Sequence, residues 1–64
     1  MTYRKFISII EKDGWILVRK NNAAFTYRKA GFKDPVVIHY HAGGRDIPKG
    51  TLKSYERITG LELS

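Results

Sequence analysis

The stretch WILVRKNNAAFTYRK, residues 15–29, decides the fold because it contains two β-type runs separated by a turn. Residues 15–20 and 24–29 are rich in bulky and β-branched side chains, which favour strands. The pair Asn21-Asn22 between the two runs indicates a turn, since asparagine tolerates positive φ angles. The stretch therefore predicts an antiparallel β-hairpin.

Elements on both sides of the hairpin complete the predicted fold. Apolar residues at helical spacing predict a first helix over residues 2–12, capped by Thr2. A third strand is predicted over residues 36–40 or 36–41, and a second helix begins near Asp46, which would cap it. The order α-β-β-β-α predicts a single α+β domain over residues 1–64. Its three-stranded antiparallel sheet carries both helices on one face and leaves the other face open.

The chain is basic, which favours a polyanionic partner. It has 12 lysine and arginine residues against 6 acidic ones, a formal net charge of +6 over 64 residues. Each phosphate that such a surface neutralises releases counterions, so nucleic acid is the predicted partner. A soluble surface that is merely basic is the alternative. A domain this small buries only a thin core, so a partner chain would add stability.

Composition also excludes several classes of protein. The absence of cysteine excludes disulfides and thiolate metal sites, and two histidines two residues apart make a poor zinc site by themselves. We therefore predict no metal and no cofactor. No apolar run approaches the roughly 18 residues of a membrane span, and no signal-peptide segment is present at the N-terminus. These features predict a cytoplasmic protein with no membrane partner.

Cations cluster around the hairpin turn, namely Arg19, Lys20, Arg28 and Lys29. Strict strand alternation places Arg19 on the face of Leu17 and Lys20 on the opposite face, with Val18. Both basic faces cannot be open, so one is predicted to face a partner. There the cations could orient an RNA phosphate and stabilise charge on its oxygens. Solvated charges at the ends of a hairpin are the alternative.

A second group of candidate RNA-binding residues opens the second helix: Lys49, Gly50, Thr51 and Lys53. Free backbone N–H groups and the helix dipole attract phosphate to a helix N-terminus, and the lysines add charge. Glycine in a helix costs about 1 kcal/mol of helix stability relative to alanine, so a glycine at position 50 is expected to serve a function. A solvated helix start, with Gly50 and Thr51 chosen for packing, is the alternative.

Three segments resemble the HicA toxin family: EKDGW at 11–15, LVRK at 17–20 and RDIPKGTLKS at 45–54, the last followed by Ile-x-Gly-Leu at 58–61. Chain length and element order agree with the family as well. The resemblance implies a fold like that of the double-stranded RNA-binding domain. It also implies the toxin of a toxin–antitoxin pair, an endoribonuclease that cleaves mRNA independently of the ribosome. A cognate HicB antitoxin is the implied protein partner.

The family's Gly-Ser-His signature falls on Asn22, Ala23 and Ala24 of this sequence. RNA cleavage needs a group of near-neutral pKa to move a proton, and the methyl group of Ala24 cannot do so. The resemblance therefore predicts that the chain is inactive as written. An engineered His→Ala substitution and a natural variant both fit. His39 and His41, which alternation places on one face, are either a substitute acid–base pair or solvated strand-end residues.

Three functional hypotheses follow from these observations. The first is a ribonuclease toxin whose histidine belongs at position 24, at the head of the middle strand. The second is a catalytically silent RNA-binding module, or a decoy for an antitoxin. The third is a domain whose basic face docks an acidic protein. Salt-dependent RNA binding separates the first two hypotheses from the third.

Overall fold

The computed structural model describes residues 1–39 and 44–63, and its elements follow the predicted order. The elements are helix α1 (Tyr3–Lys12), strands β1 (Ile16–Lys20), β2 (Ala24–Arg28) and β3 (Val36–His39), and helix α2 (Lys49–Thr59). This order confirms the predicted α+β class. The predicted extension of the third strand to residue 40 or 41 lies outside the described residues. Within those residues, neither helix is long and apolar enough to cross a bilayer.

Helix α1 begins where the sequence supplies a cap. Thr2 has an extended backbone, and its hydroxyl accepts a hydrogen bond of 3.1 Å from the backbone N–H of Lys5. One helical face places Phe6 and Ile10 in the core, each with 0% of its surface exposed. The chain leaves α1 through Gly14, whose φ of 103° favours glycine. The predicted cap at Thr2 is confirmed.

Helix α2 begins at Lys49, later than predicted. Asp46 does not cap it, because Asp46 pairs with Thr2 in an isolated β-bridge. Pro48 precedes the first helical residue and offers no side-chain hydrogen bond. The helix ends at Gly60, which takes the left-handed conformation at φ 73°. The predicted cap at Asp46 is therefore wrong, because a tertiary pairing engages that residue.

The three strands form an antiparallel sheet in the order β1-β2-β3, so β2 is the central strand. Burial alternates along β3: Val36 and Ile38 are buried, whereas Val37 and His39 are exposed. On β2, Tyr27 is buried beside Val36, its cross-strand partner. One face of the sheet is therefore covered and the other is open, as predicted.

The core lies between the two helices and the covered face of the sheet. Phe6 of α1 stacks on Tyr55 of α2, with ring centroids 4.5 Å apart and ring planes 6° from parallel. The Tyr55 hydroxyl donates a 3.0 Å hydrogen bond to the carbonyl oxygen of Val37, which ties α2 to β3. Trp15 is buried at one end of this core and contacts Phe32. Full burial of a phenylalanine side chain such as that of Phe6 stabilises the fold by about 1.5–3 kcal/mol.

Candidate nucleic-acid interface

A β-bulge at Val18 determines which side of the sheet each hairpin cation faces. Leu17 pairs with Tyr27 and Arg19 pairs with Thr26, so Val18 has no partner on β2. Paired residues of an antiparallel sheet share a face. Leu17 thus lies on the covered face with Tyr27, whereas Arg19 lies on the open face. The predicted grouping of Arg19 with Leu17 is wrong, because the bulge interrupts strict alternation.

Lys20 lies on the covered side of the sheet. It pairs with Phe25, and its Nζ atom lies 5.5 Å from the centroid of the Phe25 ring. Phe25 pairs in turn with the buried Ile38. The register thus places Arg19, and not Lys20, on the open face, while the predicted RNA contacts of both residues stay predictions.

The open face gathers exposed cations and an imidazole from all three strands. Arg28 pairs with Ile16, and alternation along β2 puts Arg28 on the face of Thr26. Arg19 pairs with Thr26, two residues before Arg28, so Arg19 and Arg28 are diagonal neighbours on this face. His39 is exposed on β3 and belongs to the same face. Arg19, Arg28 and His39 thus share one solvent-facing surface.

Position 24 lies at the head of the central strand. The side-chain oxygen of Asn21 accepts hydrogen bonds of 2.8 Å from the backbone N–H groups of Ala23 and Ala24. The N–H of Asn21 donates in return to the carbonyl oxygen of Ala24 at 3.1 Å. These bonds fix the turn and the first residue of β2. Ala24 itself is only 9% exposed, so its methyl group is recessed beneath its neighbours.

Ala24 and His39 face each other directly across the β2–β3 pair. The sequence did not predict this pairing, because it depends on how the connection from residue 29 to residue 35 sets the register. The other histidine, His41, lies outside the described residues. Of the two histidines, the structure therefore places His39 beside the position of the family signature.

Lys29 has a structural partner and is not a free cation of the hairpin. Its Nζ atom lies 3.0 Å from Oδ2 of Asp13 and 5.2 Å from the centroid of the Phe32 ring. Lys29 therefore links the strand end to the end of α1. Lys29 therefore differs from Arg19 and Arg28, with which the sequence analysis grouped it, because its charge is paired with that of Asp13.

The first turn of α2 is a second, separate group in the helical layer. The N–H of Leu52 makes the first bond of the helix, to the carbonyl oxygen of Pro48 at 2.9 Å. Helix geometry leaves the amides of Lys49, Gly50 and Thr51 without a partner within the helix. Apart from the chain neighbours of Gly50 and the backbone of its own helix, no atom of the described residues lies within 4 Å of where a Cβ would stand on Gly50, so close packing does not require glycine there.

Lys49 and Lys53 line a groove with a cavity of about 430 Å³ between α2 and both chain termini. The groove also contains the carboxylates of Asp46 and Glu56, and its remaining lining is apolar: Met1, Ile47, Leu52 and Leu63. Carboxylates therefore offset part of the positive charge at the helix start, whereas within residues 1–39 and 44–63 no ion pair engages Arg19 or Arg28. Of the two predicted groups, the open sheet face is the more strongly cationic.

The fold and the site together define a small basic α+β domain with a cationic, histidine-containing sheet face. Comparison with known proteins is consistent with that class. A solved structure titled "HicA3 and HicB3 toxin-antitoxin complex" matches 100% of this chain and 100% of the matched chain, with 31% identity and a TM-score of 0.80. No curated protein sequence matches significantly. The model of a family described as the HicA toxin of bacterial toxin–antitoxin matches residues 3–61. The chain belongs to the HicA toxin family.

Proposed function

We propose that this chain is an mRNA-directed toxin that binds single-stranded RNA through the open face of its sheet. The observation that carries the proposal is the placement of Arg19 and Arg28 on one exposed surface by the Val18 bulge. Arginine binds phosphate with a planar set of donors, and two arginines that are diagonal neighbours on one face can contact the same RNA backbone. The net charge of +6 adds long-range attraction.

The start of α2 is proposed as a weaker, second contact with RNA. Lys49, Gly50, Thr51 and Lys53 offer backbone amides and two ammonium groups to a phosphate. The absence of a Cβ on Gly50 allows an RNA backbone to approach closely. The carboxylates of Asp46 and Glu56 reduce the attraction, so this group contributes less than the arginines do.

A HicB-type antitoxin is the proposed protein partner. The matched solved structure is a complex of HicA3 with HicB3. The surface of this chain supports a protein partner as well, since Ile16 and Val18 are 65% and 55% exposed at the sheet edge and Val37 is exposed on the open face. Exposed apolar side chains next to unpaired strand edges favour contact with another chain.

Cleavage of RNA is the proposed activity, but Ala24 takes no part in it. The methyl group cannot accept or release a proton, so the chain is expected to be inactive unless another side chain provides the imidazole. Without such a group, the chain would be a silent RNA-binding module or an antitoxin decoy, and the observation that favours this second candidate is Ala24 itself.

Binding is tested by fluorescence anisotropy with a labelled single-stranded RNA over a range of salt concentrations. The variants R19A/R28A and K49A/K53A each remove two charges, as does the control R4A/K5A on exposed positions of α1. Each phosphate contact contributes about 0.7 to the slope of log affinity against log salt for single strands. We expect R19A/R28A to lower that slope by about 1.4, K49A/K53A by less, and R4A/K5A not at all.

Two outcomes contradict the RNA-binding proposal. Equal losses of affinity in R19A/R28A and R4A/K5A would show that only total charge matters. Binding that is absent, or that does not respond to salt, would leave the docking of an acidic protein as the remaining function.

A further inference from the structure

We propose that His39 is the proton-transfer group for RNA cleavage and acts across the β2–β3 pair, above the recessed Ala24. This inference rests on the proposed function, because it names the catalytic group of the same RNA-binding face.

The register places the His39 imidazole beside the short side chain of Ala24. Ala24 and His39 are direct cross-strand partners, so their Cβ atoms lie about 4.5–5.5 Å apart on the same face. Ala24 is 9% exposed, whereas His39 is exposed. Because the Ala24 side chain ends at its Cβ atom, it does not extend as far from the sheet as the neighbouring imidazole ring, and a substrate over position 24 would contact that ring.

Arg19 borders the same position from the other side. It pairs with Thr26, two residues along β2 from Ala24, so Arg19 and Ala24 are diagonal neighbours about 7–8 Å apart. A phosphate above the Ala24 methyl group would then lie between a guanidinium on β1 and an imidazole on β3. The guanidinium would stabilise the negative charge that develops on the phosphate oxygens.

The reaction that this arrangement supports is an internal transesterification of RNA. His39 accepts the proton of the ribose 2′-hydroxyl while the 2′ oxygen forms a bond to phosphorus. The bond from phosphorus to the 5′ oxygen of the next nucleotide breaks, and that oxygen takes a proton from water or from the imidazolium. The products are a 2′,3′-cyclic phosphate and a 5′-hydroxyl end, so atoms, protons and charge balance without a co-reactant. Imidazole is suited to both transfers because histidine is the side chain that most often serves as a general acid or base.

The test follows cleavage of a single-stranded RNA of mixed sequence on denaturing gels, with mass spectrometry of the ends. The proteins are the unaltered chain, H39Q, A24H, H39A/A24H and the control R4A/K5A, with folding verified by circular dichroism. We expect the unaltered chain and R4A/K5A to cleave and H39Q to be slower by at least about 100-fold, the usual contribution of a general acid or base. H39A/A24H should recover part of the rate. A strand with a 2′-deoxyribose at every position should not be cleaved.

The outcomes separate this inference from the function on which it rests. Cleavage by H39Q at the rate of the unaltered chain overturns the role of His39. An inactive unaltered chain together with an active A24H also overturns it, yet preserves the ribonuclease scaffold. If neither protein cleaves although RNA is bound, both the inference and the proposed cleavage fail and the silent module remains. Should either variant with histidine at position 24 fail to fold, the comparison of the unaltered chain with H39Q still decides the role of His39.

Discussion

The Tyr55→Phe variant is expected to be less stable than the unaltered protein at neutral pH and more stable than it near pH 11. At neutral pH the Tyr55 hydroxyl donates a 3.0 Å hydrogen bond to Val37, a contact worth about 1 kcal/mol. Tyr55→Phe should therefore be less stable than the parent by about that amount at pH 7. Burial, with a smaller contribution from Tyr3, raises the pKa of Tyr55 to about 12 from its ordinary value of 10.0.

The raised pKa makes the parent lose stability in alkali. Above pH 10 the unfolded chain releases the Tyr55 proton, whereas the folded chain retains it until about pH 12. The unfolded state then binds fewer protons than the folded state, so stability falls as pH rises through this window. At pH 11 the loss reaches about 1.4 kcal/mol, since one pKa unit is worth about 1.36 kcal/mol. Phenylalanine has no proton to lose, and Tyr55→Phe should become the more stable protein near pH 11.

The assay is urea unfolding followed by circular dichroism at several pH values between 7 and 11. The difference between the two proteins is the informative quantity, because titrations common to both cancel. One of these is Tyr27, whose pKa is raised by burial and by the charge and hydrogen bond of Glu11. A free-energy difference that stays constant from pH 7 to pH 11 would refute the reasoning, since it would mean that packing does not hold the Tyr55 phenol neutral.

Three further predictions concern the hairpin and its ends. Deleting Val18 should leave the β1–β2 pairing and the RNA affinity intact, because the bulged residue has no partner on β2. An affinity loss as large as that of R19A/R28A would contradict the placement of Arg19 on the open face. Asn21→Ala should lower stability by about 1 kcal/mol and the melting temperature by about 4–8 °C, with Asn21→Asp as the control that keeps the acceptor. Lys29→Met should leave RNA affinity unchanged. It should lower the free energy of unfolding by less than about 1 kcal/mol in thermal unfolding, because the ion pair with Asp13 is partly exposed. Weaker RNA binding by this variant would show that Lys29 belongs to the interface.

The order of elements could be predicted because most of the helix boundaries depend on local chemistry. Thr2 caps α1 with its own hydroxyl, and Gly14 and Gly60 take the positive φ angles that end the two helices. The start of α2 could not be placed in the same way. Asp46 has the chemistry of a helix cap, but it pairs with Thr2 from the other end of the chain. A local signal fails where a distant segment competes for the same residue.

The composition of the candidate site was only partly predictable, because register is a property of paired strands. Arg19 and Arg28 were identified from charge alone. The side of the sheet on which Arg19 lies depends on a bulge that the residue types in β1 do not predict. The partnership of Ala24 with His39 depends on the length and path of the connection between β2 and β3. Sequence patterns identify candidate residues, whereas pairing decides which of them act together.

Residues on the open face can be substituted without disturbing the core, and this explains how an imidazole could stand at position 39 while position 24 is alanine. Arg19, Arg28 and His39 are exposed, while the core is built from residues of the covered face and the helices. Surface substitutions usually change stability by only about 0.5 kcal/mol, so variants of these three residues report on binding and cleavage rather than on folding. An imidazole at position 39 instead of 24 stays on the same face and is displaced by about one strand spacing, roughly 4.8 Å. A flexible single-stranded RNA can adjust to a shift of that size, because its backbone is not held in a duplex.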